Sequence, residues 1–138
     1  KIKKQGGAMG LEAFLRENSL PAEGRKVAVS PRFLQKDGSP VLWEIRPVTA
    51  GEEELLRRQA RKEGRLDYDL YLAKLCEQSV VYPDLKNVQL QNNYGVYGGA
   101  ALLQAMLTGG EYAKLLREVE EVNGFLKSDQ ERRQEAKN

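Results

Sequence analysis

The sequence predicts an α+β fold that is mainly α, with a short N-terminal helix and a β-hairpin packed on a bundle of about five helices. Two observations carry it. Between Val27 and Ile45 apolar residues recur at every second position around a cluster of turn residues. From Thr49 onward, capping residues open one stretch after another of apolar residues at helical spacing.

The first eight residues read as a cloning leader. They carry three lysines and no acid, and Gly6-Gly-Ala-Met9 has the look of a joint, so Met9 is taken as the native start. Residues 9–126 are then expected to form a single globular domain, a size that fits the 138-residue chain. Residues 127–138 hold seven charges and Ala136 as their lone apolar residue, so they are expected to form a charged flexible tail.

Leu11 to Asn18 is read as the short first helix, and Pro21 to Gly24 as a linker. Val27, Val29 and Phe33 fall on one face of an extended run, which Pro31 makes an edge strand or a broken one. Lys36-Asp-Gly-Ser39 supplies the turn, and Val41, Trp43 and Ile45 form the apolar face of the returning strand. A lone hairpin is marginal in water, so helices or a second subunit must cover this face.

Thr49-Ala-Gly-Glu52 is a capping box opening a helix of about residues 50–62, whose few apolar residues imply a largely solvated element. Gly64 interrupts it. Asp67 caps the next helix, with Tyr68, Leu72, Leu75, Cys76 and Ser79 on one face and Pro83 at its end. Asn87 caps a short turn of helix carrying Leu90, and the glycines at 95, 98 and 99 punctuate a loop. A helix of about residues 99–107 follows. The last helix opens at Thr108-Gly-Gly-Glu111, displays Tyr112, Leu115, Leu116, Val119 and Val122 on one stripe, and stops at Asn123-Gly124.

Composition excludes several kinds of chemistry. The chain has no histidine, which removes the commonest general acid/base and the commonest nitrogen metal ligand. Cys76 is the single cysteine and lies on an apolar helix face, which points to core packing in a reducing compartment rather than catalysis. Glu52, Glu53 and Glu54 sit in a helix's first turn, where negative charge suits the macrodipole. Asp67 and Asp69 lack the later glycine and bidentate Glu of a calcium loop. The 95–99 glycines have no GxxxxGK[ST] around them. No catalytic residue, cofactor or metal is therefore expected, and no stretch is long and apolar enough to span a membrane.

The net charge of +2 invites a nucleic-acid reading, but the leader's lysines account for it, and residues 9–138 carry −1. Arg57, Arg61 and Arg65 share one face of the expected helix, offset by neighbouring glutamates, so nucleic acid is not the expected partner. Tyr94 and Tyr97 in the glycine-rich loop are better suited to protein contact.

Six segments, in order, resemble a known family. They are Leu11-Glu-Ala-Phe-Leu15, Trp43-Glu-Ile-Arg-Pro-Val48, Asp67-Tyr-Asp-Leu-Tyr-Leu-Ala-Lys74, Val81-Tyr-Pro-Asp-Leu85, Leu90-Gln-Asn-Asn-Tyr-Gly-Val-Tyr-Gly98, and Gly110-Glu-Tyr-Ala-Lys114 with Val122-Asn-Gly-Phe125. Together they resemble the XkdN-like tail assembly chaperones of contractile-tailed phages and prophages. One departure is the connection Glu63-Gly-Arg-Leu66, which is short for that family.

The resemblance implies a non-enzymatic chaperone that binds the tape-measure protein until tail tube subunits polymerise around it. It implies action in the bacterial host cytoplasm and absence from the mature virion, and self-association into a homo-oligomer is expected from weak, repeated contacts along a long client. In some relatives a frameshift yields a longer form, and residues 127–138 lie where it would attach. A structural head–tail or minor tail protein retained in the virion is the alternative. Trp43, Tyr94, Tyr97, Arg132 and Arg133 are the expected partner-binding residues.

Overall fold

Local capping chemistry starts the helices where the sequence places them. In the computed structural model, which describes residues 10–125, the Thr49 hydroxyl accepts from the Glu52 amide while the Glu52 carboxylate accepts from the Thr49 amide. That reciprocal box opens α1, Ala50–Gln59. Asp67 caps α2, Tyr68–Ser79, and Asn87 caps α3, Val88–Asn93. After α4, Gly99–Met106, the box of Thr108 and Glu111 opens α5, Gly109–Val122. The expected leader, residues 1–8 with Met9 after it, and the expected tail, residues 127–138, lie outside the described residues.

The architecture is α+β and mainly α. Strands β1, Arg25–Val27, and β2, Trp43–Ile45, pair antiparallel with Arg25 opposite Ile45 and Val27 opposite Trp43. The expected hairpin is thus present, but its regular ladder is short. Pro31 lacks the amide a strand needs, so residues 28–42 form a long connection closed near its tip by Leu34 facing Pro40. Gly38, at φ +90°, makes the turn.

Two further pairings depart from the expected helices. The second capped helix stops at Ser79 rather than at Pro83, because Val80–Tyr82 forms β5 and completes a sheet in the order β1-β2-β5. Two β-branched residues and an aromatic earn more from a pleated surface beside Trp43 and Ile45 than from another helical turn. The charged helix stops at Gln59, and Arg61–Lys62 (β3) pairs with Arg65–Leu66 (β4) in a small hairpin. Its turn places Glu63 at φ +51° and Gly64 at +79°, the double left-handed conformation of a type I′ turn. This compact hairpin is the short 63–66 connection.

At the N-terminus the expected helix over Leu11–Asn18 reduces to a single 3₁₀ turn, Leu11–Phe14, with no buried residue. A segment of this length has too few internal hydrogen bonds to persist as an α-helix without a surface to pack on.

α2 is the hub, packing against α1, α4 and α5 and leading directly into β5. Trp43, Ile45, Leu75, Cys76, Leu102, Leu103, Leu115 and Val119 form the centre of the core. Leu115 and Val119 are fully buried, while Tyr112, Leu116 and Val122 of the same stripe border the core. On α2 the register differs from expectation. Tyr71 turns inward and Tyr68 remains exposed, and the Tyr71 hydroxyl donates to Glu53 of α1 at 2.7 Å. Asn123, beyond its role as a stop signal, joins three elements. Its Oδ1 accepts from the Val48 amide at 2.8 Å, and its Nδ2 donates to the Ser79 hydroxyl and the Val119 carbonyl.

Cys76 is fully buried, and that burial pushes its thiol up to about 12. The neutral thiol is a poor nucleophile. A disulfide reagent at pH 8 is therefore expected to leave the native chain unmodified and to label one thiol per chain in denaturant. Fast labelling without denaturant would show that α2 detaches from α5 in the native state.

Candidate protein-interaction surface

The most outwardly directed large side chain on the helical part of the fold is Tyr97, 94% exposed. It belongs to the loop 94–98 between α3 and α4, and the loop is braced from within. Gln91 is buried, donates through Nε2 to the Leu85 carbonyl at 2.8 Å, and accepts at Oε1 from the Gly98 amide at 3.1 Å. The Gln91 carbonyl accepts from the Val96 amide, and the Val96 side chain packs against the core. Gly95 and Gly98, at φ +67° and +97°, let the chain turn sharply on either side of Val96. Val96 and Gln91 therefore hold the loop, which leaves both tyrosines free to face outward. Tyr94 is the less exposed of the two.

Beside the loop stands a charged fork. Arg32 donates through Nε and Nη2 to the two Glu111 carboxylate oxygens at 2.9 and 2.6 Å, and through Nη2 to the Met106 carbonyl at 2.8 Å. The buried Ser30 hydroxyl donates to the same carboxylate at 2.6 Å and accepts from the Arg32 amide. A bidentate pair of this kind fixes orientation as well as charge. The Arg32 guanidinium also lies 5.0 Å from the Phe33 ring centroid, and the Tyr94 phenol is close enough to act on it electrostatically. Tyr94 and Tyr97 thus share one braced loop, and tyrosine is among the residue types that dominate binding energy at protein interfaces.

Glu111 links local and tertiary structure, since the carboxylate that accepts from Arg32 also completes the α5 capping box. The Arg32 side chain, followed by the Ser30 hydroxyl and the Thr108 amide, holds the Glu111 carboxyl well below the ordinary carboxylate range. Arg46 and the Thr49 amide likewise lower Glu52 from 4.5 to about 2. Groups depressed in the folded state stabilise it above their unfolded value, and that contribution fades as pH falls through the folded value. The melting temperature is accordingly expected to be insensitive to these groups from neutral pH to about 5 and to fall between about 4.5 and 2. Glu52→Gln and Glu111→Gln should each flatten the fall. An unchanged acid limb in both variants would assign it to other groups.

The expected partner residues divide under this geometry. Tyr94 and Tyr97 share the braced loop. Trp43 is 1% exposed and packs against Phe33 with ring centroids 6.3 Å apart. Its face of the hairpin is covered by the chain's own helices, and it offers a partner no surface. Arg132 and Arg133 lie outside the described residues. The shared helix face expected for Arg57, Arg61 and Arg65 does not form, because Arg61 and Arg65 stand on β3 and β4 while Arg57 pairs with Glu53. The bracing by Gln91 and the fork of Ser30, Arg32 and Glu111 have no local sequence signature.

Among the described residues, no group of three or more His, Cys, Asp or Glu is arranged to hold a metal ion, and no helix is long and apolar enough to cross a membrane.

Comparison with known proteins gives this geometry a context. The family model described as phage XkdN-like tail assembly chaperone protein matches residues 11–137. The chain is similar to the phage-like element PBSX protein XkdN of Bacillus subtilis strain 168, at 28% identity over 146 residues covering 99% of each chain. It is also similar to the uncharacterized protein YqbN of the same organism, at 28% identity over 125 residues, covering 83% of this chain and 84% of that one. The crystal structure of YqbN superimposes with a TM-score of 0.77 and 27% identity, over 91% of this chain and 99% of the other. With the match running across nearly the whole chain and the fold shared with a solved relative, the protein belongs to the XkdN-like family of phage tail assembly chaperones.

Proposed function

We propose that this protein is a non-enzymatic chaperone that binds the tape-measure protein in the bacterial host cytoplasm and leaves before the virion is complete. The observation that carries the reading is the braced loop presenting Tyr94 and Tyr97. A loop fixed before binding loses little entropy on contact, and tyrosine supplies large, amphipathic contact area with only two rotatable side-chain angles. Such anchors suit weak contacts repeated along an extended client. Many of them together hold the client through avidity, yet each is displaced individually as tail tube subunits arrive.

The reading is tested by mass spectrometry of purified phage particles and of the lysate that produced them. The chaperone role requires the protein in the lysate and its absence from finished particles. Its presence in particles at a fixed copy number would instead assign it to the head–tail junction or to the minor tail components.

A further inference from the structure

The hairpin of β3 and β4 concentrates positive charge on a chain that is otherwise slightly acidic. Residues 57–67 hold five basic and two acidic side chains, whereas residues 9–138 as a whole carry −1. Arg57 and Arg58 close α1, where cations suit the helix dipole, and Arg57 also pairs with Glu53. Arg61, Lys62 and Arg65, all exposed, have no such explanation. Lys62 lies 3.8 Å from Asp67, a long and exposed pair, and among the described residues Arg61 and Arg65 form no ion pair.

This arrangement is unfavourable in the free protein. Lys62 stands directly opposite Arg65, so both lie on one face of the ladder. Like charges in that position destabilise a strand pair, and a two-stranded hairpin is marginal in water to begin with. The turn adds strain, since Glu63 at φ +51° occupies a region that side chains seldom adopt. The base keeps the hairpin closed: Leu66 packs against the core, and the Asp67 amide donates to the carbonyl of buried Ala60 at 2.8 Å. The tip reaches outward, and a Cβ on Gly64 would meet no atom within 4 Å. A self-repelling pair of cations, held on a fixed base and turned to solvent, is relieved by an anion.

We infer that this hairpin, through Arg61, Lys62 and Arg65, binds an acidic stretch of a different polypeptide. The chain's own ends supply no such stretch. Residues 1–9 contain no acid, and residues 126–138 hold four basic against three acidic side chains. A second copy offers none either, because its acidic clusters are engaged at home: Glu52 with Arg46, Glu53 with Arg57 and Tyr71, Glu118 and Glu121 with Arg25. Nucleic acid fits less well than a peptide. A phosphate backbone runs on past the hairpin over a chain that is acidic elsewhere, and Glu63 and Asp67 repel it at the hairpin itself. A short extended peptide ends where the cations end, and its alternate side chains place carboxylates on one side. The hairpin is a second contact, on other elements than the loop of Tyr94 and Tyr97.

The test is fluorescence anisotropy of the full chain with a labelled peptide of alternating glutamate and serine. Its glutamine counterpart and a single-stranded oligothymidine of matched charge serve as comparisons. The expected result is saturable binding of the acidic peptide at low salt, lost as ionic strength rises, with weaker binding of the oligothymidine and none of the glutamine peptide. Arg65→Glu should weaken binding by about tenfold or more, the scale of one charged hydrogen bond. Its melting temperature should hold or rise, because Lys62 then faces an opposite charge. Arg61→Gln, which leaves that ladder pair intact, should weaken binding as well. Lys114→Glu, the same change of charge on α5, should leave it unaltered. Failure of the unmodified chain to prefer the acidic peptide over its glutamine counterpart would overturn the proposal. So would an equal loss in Lys114→Glu and Arg65→Glu, which would assign the binding to overall charge. Tighter binding of the oligothymidine would give the hairpin to nucleic acid instead.

Discussion

Replacing Trp43 with alanine is expected to destabilise the fold by about 3–5 kcal/mol, the range for emptying a large aromatic site in a core that relaxes only partly. Trp43 is 1% exposed, stands on the middle strand of the sheet opposite Val27, and meets Phe33 at its edge. A cavity there touches the sheet and the helices behind it together. Domains of this size hold about 5–15 kcal/mol in total, so the variant should unfold at much lower urea with an unchanged slope against denaturant. Trp43→Phe, which keeps a ring in the site, should recover most of the loss. A Trp43→Ala chain with wild-type stability would mean that the hairpin is not covered as described.

The second large effect is on binding and leaves stability alone. Tyr94→Ala with Tyr97→Ala should alter stability by no more than about 0.5 kcal/mol, as exposed substitutions usually do. The same change should weaken tape-measure capture by more than about 30-fold, the consequence of losing a single interface anchor worth 2 kcal/mol. Gln91→Ala separates presentation from contact. Gln91 touches no solvent-facing partner surface, yet it ties Leu85 to Gly98. Capture should therefore weaken in that variant with both tyrosines still present. Binding that tolerates the loss of both rings would move the client surface elsewhere on the fold.

The contrast between these variants shows what the sequence made legible. Both capping boxes were readable because their partners lie three residues apart and their residue types are restrictive. The last helix was readable for the same reason, together with its long apolar stripe. Trp43 was readable as part of an apolar strand face. That one residue set could not reveal whether the chain's own helices cover that face, since the core it joins is completed by residues far along the sequence, Leu75, Leu103 and Leu115 among them.

Short elements were less legible. Val80-Val81-Tyr82 follows a helical stripe without a break, and three apolar residues before a proline have no period of their own. β3 and β4 are almost wholly charged and turn through Glu63, a residue type that seldom marks a left-handed position. The site divides in the same way. Tyr94 and Tyr97 were visible as two aromatics in a glycine-rich loop, whereas Arg32 and Glu111 are 79 positions apart and only the fold brings them together. Gln91 carried no signal because glutamine at a helix end is ordinary, and its value comes from burial between two backbone groups.

The most direct measurement is co-expression of this chain with a phage tape-measure protein, followed by purification through a tag on the tape measure. The expected result is a soluble complex, with the tape measure insoluble when made alone and the Tyr94 and Tyr97 variant failing to rescue it. A tape measure that is equally soluble without this protein, with no co-purification, would contradict the chaperone role.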